Sequence, residues 1–229
     1  MMRRVVQSEL LDHLAPEDPK AQASRRDLRR IHRLMGHGRR FQRIYSAVAR
    51  RSTGSLRIVD LGAGDGAFLA RVLPQARPGS TVLLVDRVHA VDAAVEQAYA
   101  DRGWQLEVIE ADIFEALQGS ELACDLMLAN LFLHHFEEGP LRQLLSQAAQ
   151  VSTCFVALEP RRNRWAFAAA ACLPLLGCNS ITRHDSKVSV RAGFNGQELS
   201  RLWPRPEGWQ LFERPLGLFS HAFTASFYG

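Results

Sequence analysis

Residues 57–73 read RIVDLGAGDGAFLARVL. A short run of branched apolar residues meets a loop with glycine at 62, 64 and 66, and a helix-like apolar spacing follows. Strand, glycine turn, helix is the first unit of a parallel α/β sheet. The letters satisfy two loop patterns at once. Gly62-x-Gly64-x-x-Ala67 fits the dinucleotide fingerprint, whose last small residue lets helix pack on strand. Asp60-x-Gly62-x-Gly64-x-Gly66 instead sets a carboxylate at the mouth of the loop. In both, glycine permits a sharp turn and close backbone approach, and the first helical amides face the ligand.

The rhythm continues downstream. TVLLVD (81–86), QLEVIEAD (105–112) and CFVALEP (154–160) read as strands, and CDLMLANLFLHHF (124–136) starts as one. AFLARVL (67–73), HAVDAAVEQAYADRG (89–103) and GPLRQLLSQAAQ (139–150) read as helices between them. Such alternation predicts a mostly parallel sheet with helices on both faces. FNGQELSRLW (194–203) has an amphipathic pattern, and WQLFERPL (209–216) and FSHAFTASFY (219–228) read as the last strands. Upstream, residues 1–22 look irregular or partly helical. A helix over 24–35, with Ser24 as its N-cap, breaks at GHG (36–38), and a second follows over about 40–50. The expected division is a helical extension or lid over 1–52 and a cofactor-binding domain over 53–229, with an acceptor-site insertion near 161–195.

At 229 residues with 47% apolar content, the chain has the length of one domain and enough apolar mass for a core. No signal peptide is expected. The longest apolar run, WAFAAAACLPLLGC (165–178), is interrupted by Pro174 and too short to span a bilayer, though peripheral membrane contact stays open. The cysteines at 124, 154, 172 and 178 form no CxxC or Cys/His cluster, so reduced thiols, a cytoplasmic setting and no metal site are expected. The formal charge is +4, and nearly all positive charge is arginine. The block SRRDLRRIHRLMGHGRRFQR (24–43) suits nucleic acid, an anionic lipid surface, an acidic substrate, or merely a solvated helical face.

Asp60 separates the two loop patterns. Beside a pyrophosphate its carboxylate repels; beside a cofactor carrying an ammonium and a sulfonium it attracts. A nicotinamide oxidoreductase also calls for a hydride-transfer constellation such as Tyr-x-x-x-Lys, and the three tyrosines and two lysines provide none. Taken in order, VDLGAGDG (59–66), VD (85–86), AD (111–112) and ANLFLHHF (129–136) resemble the class I S-adenosylmethionine-dependent methyltransferases over about 55–160. The resemblance implies an open, mostly parallel seven-stranded Rossmann-like sheet whose last strand is antiparallel. It also implies that Asp60, Gly62 and Gly64 face the methionine part of S-adenosylmethionine, Asp86 the ribose, Asp112 and Ile113 the adenine, and Asn130 the cofactor or the transfer site, with Ala63, Gly66 and Arg87 also among the cofactor-binding residues.

The methyl acceptor is less legible. Relatives that methylate exocyclic base nitrogens carry an Asn/Asp-Pro-Pro-aromatic motif where this chain has Asn130-Leu131-Phe132-Leu133. No RNA-binding module is evident, so nucleic acid is not the expected partner, and RNA methylation at a ring atom or oxygen is kept as an alternative. LFLHHF resembles methyltransferases of quinones and polyketides, and DLRRIHRLMG and RHDSKVSVRAGF resemble those associated with bacterial polyketide synthases. His134 and His135 are candidate bases or loop-shaping residues; without acidic partners they do not form a metal site. His184, in a polar loop after the apolar insertion, is a second candidate base, and Arg183 or Arg191 a partner for an enolate. Phe41 and Tyr45 are candidate pocket walls or core residues. The expected acceptor is a small, largely apolar aromatic, polyketide- or quinone-like compound of secondary metabolism, methylated on a phenolic, enolic or quinol oxygen or on an activated carbon. A non-catalytic cofactor-binding partner protein is the remaining alternative.

Overall fold

The computed structural model describes residues 2–15, 18–118, 120–204 and 207–228, apart from the side chains of His32, Leu34 and Ser120. Among them, seven strands form one sheet: β1 (Arg57–Leu61), β2 (Thr81–Asp86), β3 (Gln105–Glu110), β4 (Leu126–Asn130), β5 (Cys154–Pro160), β6 (Trp209–Leu216) and β7 (Ser220–Phe227). Their order is β3-β2-β1-β4-β5-β7-β6. The first five run parallel, and β7 lies antiparallel between β5 and β6, as expected. The helices are α1 (Pro19–Leu34), α2 (His37–Arg51), α3 (Ala67–Val72), α4 (Ala93–Ala100), α5 (Ile113–Ala116), α6 (Glu138–Val151), α7 (Arg164–Ala171), α8 (Ser180–Ala192) and α9 (Glu198–Leu202).

Successive strand residues point to opposite faces, which splits the core in two. Val59, Leu83, Met127 and Phe155 pack with Leu141 and Leu144 of α6 and Leu199 of α9. Ile58, Leu84, Leu128 and Val156 pack with Phe41 of α2, Leu69 of α3 and Tyr99 of α4. Phe41 and Tyr45 are therefore core residues, set against Phe68 and Trp104.

From β1 the chain builds outward through β2 to β3, then returns to β4 on the other side of β1. The carboxyl ends of β1 and β4 thus flank the topological switch point, where open α/β sheets bind ligands. Both the glycine loop and the ANLFLHHF segment leave the sheet there.

Two local readings are corrected. Helix α1 begins at Pro19, which needs no N–H at the first helical position, and Asp18 accepts from the Lys20 amide at 2.7 Å. Ser24 lies inside that helix, buried, 2.7 Å from the Thr182 hydroxyl. The supposed polar loop holding His184 is α8, capped by Asn179, with Ile181, Asp185, Val188 and Ala192 on its buried face. Residues 2–13 are a strap tied to the domain. Arg4 donates to the carbonyls of Ala192 and Phe136, each at 2.8 Å, and Arg162 to that of Met2 at 2.9 Å. Asp185 accepts the amides of Leu10 and Leu11 at 2.9 and 3.0 Å, seating a 3-10 turn over Leu11–His13.

Candidate active site

The glycine loop is held from below. The amides of Gly62 and Ala63 both reach the carbonyl of Val85, and the Tyr99 hydroxyl donates to the Gly66 carbonyl at 2.9 Å. Gly62, Gly64 and Gly66 all have positive φ, where a side chain is strained. A Cβ on Gly62 would lie 2.1 Å from the Phe132 ring, and one on Gly66 2.5 Å from Leu84. At Gly64 a Cβ would meet only open space, so there the backbone itself is offered to a ligand.

Asp60, at the next-to-last position of β1, is only 2% exposed. It makes no hydrogen bond or ion pair among the described residues. Burial, with nearby Asp86 adding to it, pushes its carboxyl well above the ordinary range. A buried carboxylate without a counter-charge is costly. An ammonium-bearing ligand above the loop removes that cost, and this is the feature by which the site fits S-adenosylmethionine. Asp86, at the carboxyl end of β2, accepts the amides of Gly64 at 2.8 Å and Val88 at 3.1 Å. Asp112 caps α5 through the Phe114 amide at 2.9 Å, Ile113 is buried beneath it, and Arg87 is exposed.

One cavity of about 700 Å³ runs from this loop to the amino-terminal strap. Gly62, Ala63, Gly64, Asn130 and Leu131 line its loop end, and Glu9, Asp12, His134 and His135 its far end. Between them the walls are apolar, with Leu28 and Ile31 from α1, Met35 just after it, Phe68 from α3, Ala170 from α7 and Leu173 from the turn that follows α7. Asp60, Gly66, Asp86, Arg87, Asp112 and Ile113 stand outside this cavity's lining. Arg29 of α1 meets Asp65 in the glycine loop at 2.5 Å, so α1 is tied to the loop it covers.

At the loop end, Asn130 is not alone. Its Oδ1 lies 2.8 Å from His37 Nδ1, and His37 Nε2 lies 2.9 Å from the Ser220 hydroxyl. Burial lowers the His37 pKa to about 4 against the raising effects of Asn130 and Glu159, so this imidazole is neutral. Leu131 adopts φ 58, a left-handed conformation rare for a branched side chain, and its amide donates to the Leu158 carbonyl at 2.8 Å.

At the strap end the histidine pair does have acidic partners, contrary to expectation. Glu159 of β5 accepts the amides of Phe132 and Leu133 on one oxygen, at 3.0 and 2.8 Å, and lies 2.8 Å from His134 Nδ1 with the other. His134 Nε2 is 3.3 Å from Glu9, which also accepts from Ser189. Burial alone would depress His134; the two carboxylates outweigh it and raise its pKa to about 9. Burial would raise Glu9, and His134 holds it below the ordinary range instead. Glu9, His134 and His135 bring donor atoms within 4.8 Å of one another, close enough for a metal ion. His134 protonated between two carboxylates has no lone pair to give one. His135, stacked at 4.4 Å on His134 and 3.6 Å from Asp12, has its pKa lowered by burial and by His134, so it is neutral and faces the cavity. His184 is half exposed on α8, pairs with Asp185, and is absent from the cavity lining.

Sequence reading missed Glu9, His37, Glu159 and Ser189. Their partners lie 25 to 183 positions away in the chain. Only the helical spacing of Ile181, Asp185, Val188 and Ala192 could have signalled that α8 turns Ser189 inward.

The sheet order, the glycine loop at the switch point and the unmatched Asp60 together define the class I methyltransferase architecture. Residues 58–153 match the family described as "Methyltransferase domain". No curated protein sequence matches the chain. The fold is similar to the plantazolicin methyltransferase BpumL in complex with SAH, at 15% identity, TM-score 0.65, over 93% of this chain and 92% of that one. Plantazolicin methyltransferase BamL with a triazolic desmethyl analogue and SAH gives 11% identity and TM-score 0.66 over 92% and 91%. A putative O-methyltransferase from Nostoc punctiforme gives 20% identity and TM-score 0.57 over 97% of this chain and 64% of that one. Over residues 58–153 the chain carries a methyltransferase domain, and its fold is that of S-adenosylmethionine-dependent methyltransferases. Among the described residues, no helix is long and apolar enough to cross a membrane.

Proposed function

We propose that the protein methylates an ionisable oxygen, phenolic, enolic or quinol, on a small and largely apolar polyketide- or quinone-like acceptor. The observation that carries this is the cavity whose apolar walls join the glycine loop to a neutral histidine. S-adenosylmethionine supplies an electrophilic methyl group; the chain must orient the acceptor, exclude water and remove a proton. Asp60, the loop amides, Asp86, Asp112 and Asn130 hold the cofactor in this reading. Leu28, Ile31, Phe68 and Leu173 receive the apolar body of the acceptor.

His135 is the base. It lines the cavity and is neutral near pH 7, as proton abstraction requires. His134 already carries its proton between Glu159 and Glu9, and so positions His135 and the turn after β4. His184 has no part in the chemistry, because it does not face the cavity. Likeness to enzymes named for plantazolicin and to an O-methyltransferase supports a small acceptor.

The test is mass spectrometry of products from alkylated phenols, hydroxypyrones and quinols incubated with S-adenosylmethionine, with RNA as a parallel acceptor. The expected product is an O-methyl ether. His135→Asn should cut turnover about a hundredfold at neutral pH, with cofactor affinity intact and recovery toward alkaline pH, while His184→Ala leaves the rate unchanged. Methylated RNA, or tight cofactor binding with no acceptor turned over, would overturn this reading.

A further inference from the structure

We infer that the outer rim of the cavity, built from Trp165, Leu175, Leu176, Leu218 and Phe219, docks on an anionic lipid bilayer. Leu175 is 86% exposed and Trp165 73%, and Leu176, Leu218 and Phe219 also project into solvent. Single exposed apolar residues are ordinary, whereas a contiguous patch marks a contact surface. Leu175, Leu176 and Phe219 line the mouth of one cavity. The turn carrying Leu218 and Phe219 is bound to the segment before α7. Asn163 donates to the Leu218 carbonyl at 2.8 Å, and the Arg161 amide to that of Phe219 at 2.8 Å. Trp165 is the second residue of α7.

The charge around the rim selects lipid. Arg26, Arg29, Arg30 and Arg33 of α1 line a groove with Gly177 and Asn179, immediately after Leu175 and Leu176. Arg164, exposed, precedes Trp165. Two acidic groups answer: Asp65 pairs with Arg29, and Asp27 with Arg30. Arg26, Arg33 and Arg164 form no ion pair among the described residues. Exposed leucines on the 3-10 turn Leu173–Leu176, an exposed tryptophan at the start of α7 and arginines along α1 match the interfacial pattern. In it, apolar side chains enter the acyl boundary, the indole sits at headgroup level, and guanidinium groups meet phosphate. A carrier protein with an acidic face would use the arginines, but it would leave the leucines without a complementary groove.

The cavity opens between these residues, so an apolar acceptor dissolved in the bilayer can enter without crossing water. That consequence rests on the acceptor reading of the cavity; the docking itself does not, because vesicle binding needs neither acceptor nor turnover. The experiment is cosedimentation of the full-length protein with phosphatidylcholine vesicles, with and without phosphatidylglycerol. Binding is expected only where phosphatidylglycerol is present, and it should weaken with added salt. The double variant Trp165→Asp/Leu218→Asp, at positions outside the cavity lining, should bind at least about tenfold more weakly. Arg26→Gln and Arg33→Gln should each cost about fivefold. Circular dichroism and cofactor affinity should match the wild type in all variants. No binding to either vesicle, equal binding to both, wild-type binding by the double variant, or capture by an acidic carrier protein without vesicle binding would overturn the inference.

Discussion

The two ends of the cavity treat buried charge in opposite ways. Beside the loop end Asp60 is buried with no hydrogen bond or ion pair among the described residues, and burial keeps His37 neutral against the raising effects of Asn130 and Glu159. At the strap end His134, buried just as fully, carries a proton because Glu159 and Glu9 flank it. Burial is the first influence on all three groups, so the neighbours decide the outcome. One end is left short of positive charge, which a ligand can bring. The other is electrically complete without a ligand, and so can hold a backbone turn and a neighbouring histidine in place.

The largest test of that contrast is Glu159→Gln. The variant removes the nearer counter-charge from a buried imidazolium and disturbs the acceptor of the Phe132 and Leu133 amides. The expected loss is about 3–5 kcal/mol in urea unfolding, with the His134 resonance titrating at lower pH by NMR. A loss under about 1 kcal/mol, ordinary for a mild substitution, would mean His134 is neutral and the ends are alike.

Opposite slopes with pH come next. His37 titrates at about 4 in the folded state against an ordinary value of 6.5. Its contribution is present above 6.5 and lost as pH falls toward 4, to the extent of about 3 kcal/mol. His134 titrates at about 9. Its contribution is present below 6.5 and lost as pH rises through 9, by a similar amount. Unfolding free energies measured across pH should lose the acid limb in His37→Gln and the alkaline limb in His134→Gln. If both variants altered the same limb, the assignment of opposite charge states would be wrong.

Asp60→Asn should act in two directions at once. An unpaired buried carboxyl with a raised pKa opposes folding above its ordinary titration range, so the neutral amide should stabilise the free protein by about 1–2 kcal/mol. The same change removes the counter-charge for the cofactor ammonium, and affinity for S-adenosylhomocysteine should fall at least about tenfold. Thermal unfolding and calorimetry read the two effects separately. A loss of stability together with affinity would make Asp60 a structural residue.

The loop end was readable because its parts are local. A strand, three glycines and the aspartates that close β2 and β3 each announce themselves within a few residues, and the alternation of elements fixes the edge they share. Asn130 was found the same way, but its partner His37 was not, since nothing in GHG signals a contact with β4. The strap end is assembled from distant pieces. Glu9 comes from a segment with no periodicity, and Glu159 sits in a strand that reads as continuous apolar core. His184 stands in a polar run that reads as a loop, and that reading hides the inward helical face that carries Ser189. The turn preference of those residues yielded to tertiary burial of one helical face, a face that also carries Asp185 and so anchors the strap.

Leu131 joins the two ends and should give the smallest effect. It follows Asn130, precedes the two amides held by Glu159, and adopts φ 58. A leucine there costs about 1–2 kcal/mol, and glycine relieves it while adding about 0.5–1 kcal/mol of chain entropy to the unfolded state. Both Leu131→Gly and Leu131→Ala lose the side-chain packing and only glycine relieves the strain, so Leu131→Gly should be more stable than Leu131→Ala by about 0.5 kcal/mol. If glycine were the more damaging of the two, the left-handed turn would be unstrained. If glycine is the more stable of the two but slows turnover, the strain is what holds Asn130 and His135 at fixed positions on either side of the turn, and the two ends of the cavity act through one backbone.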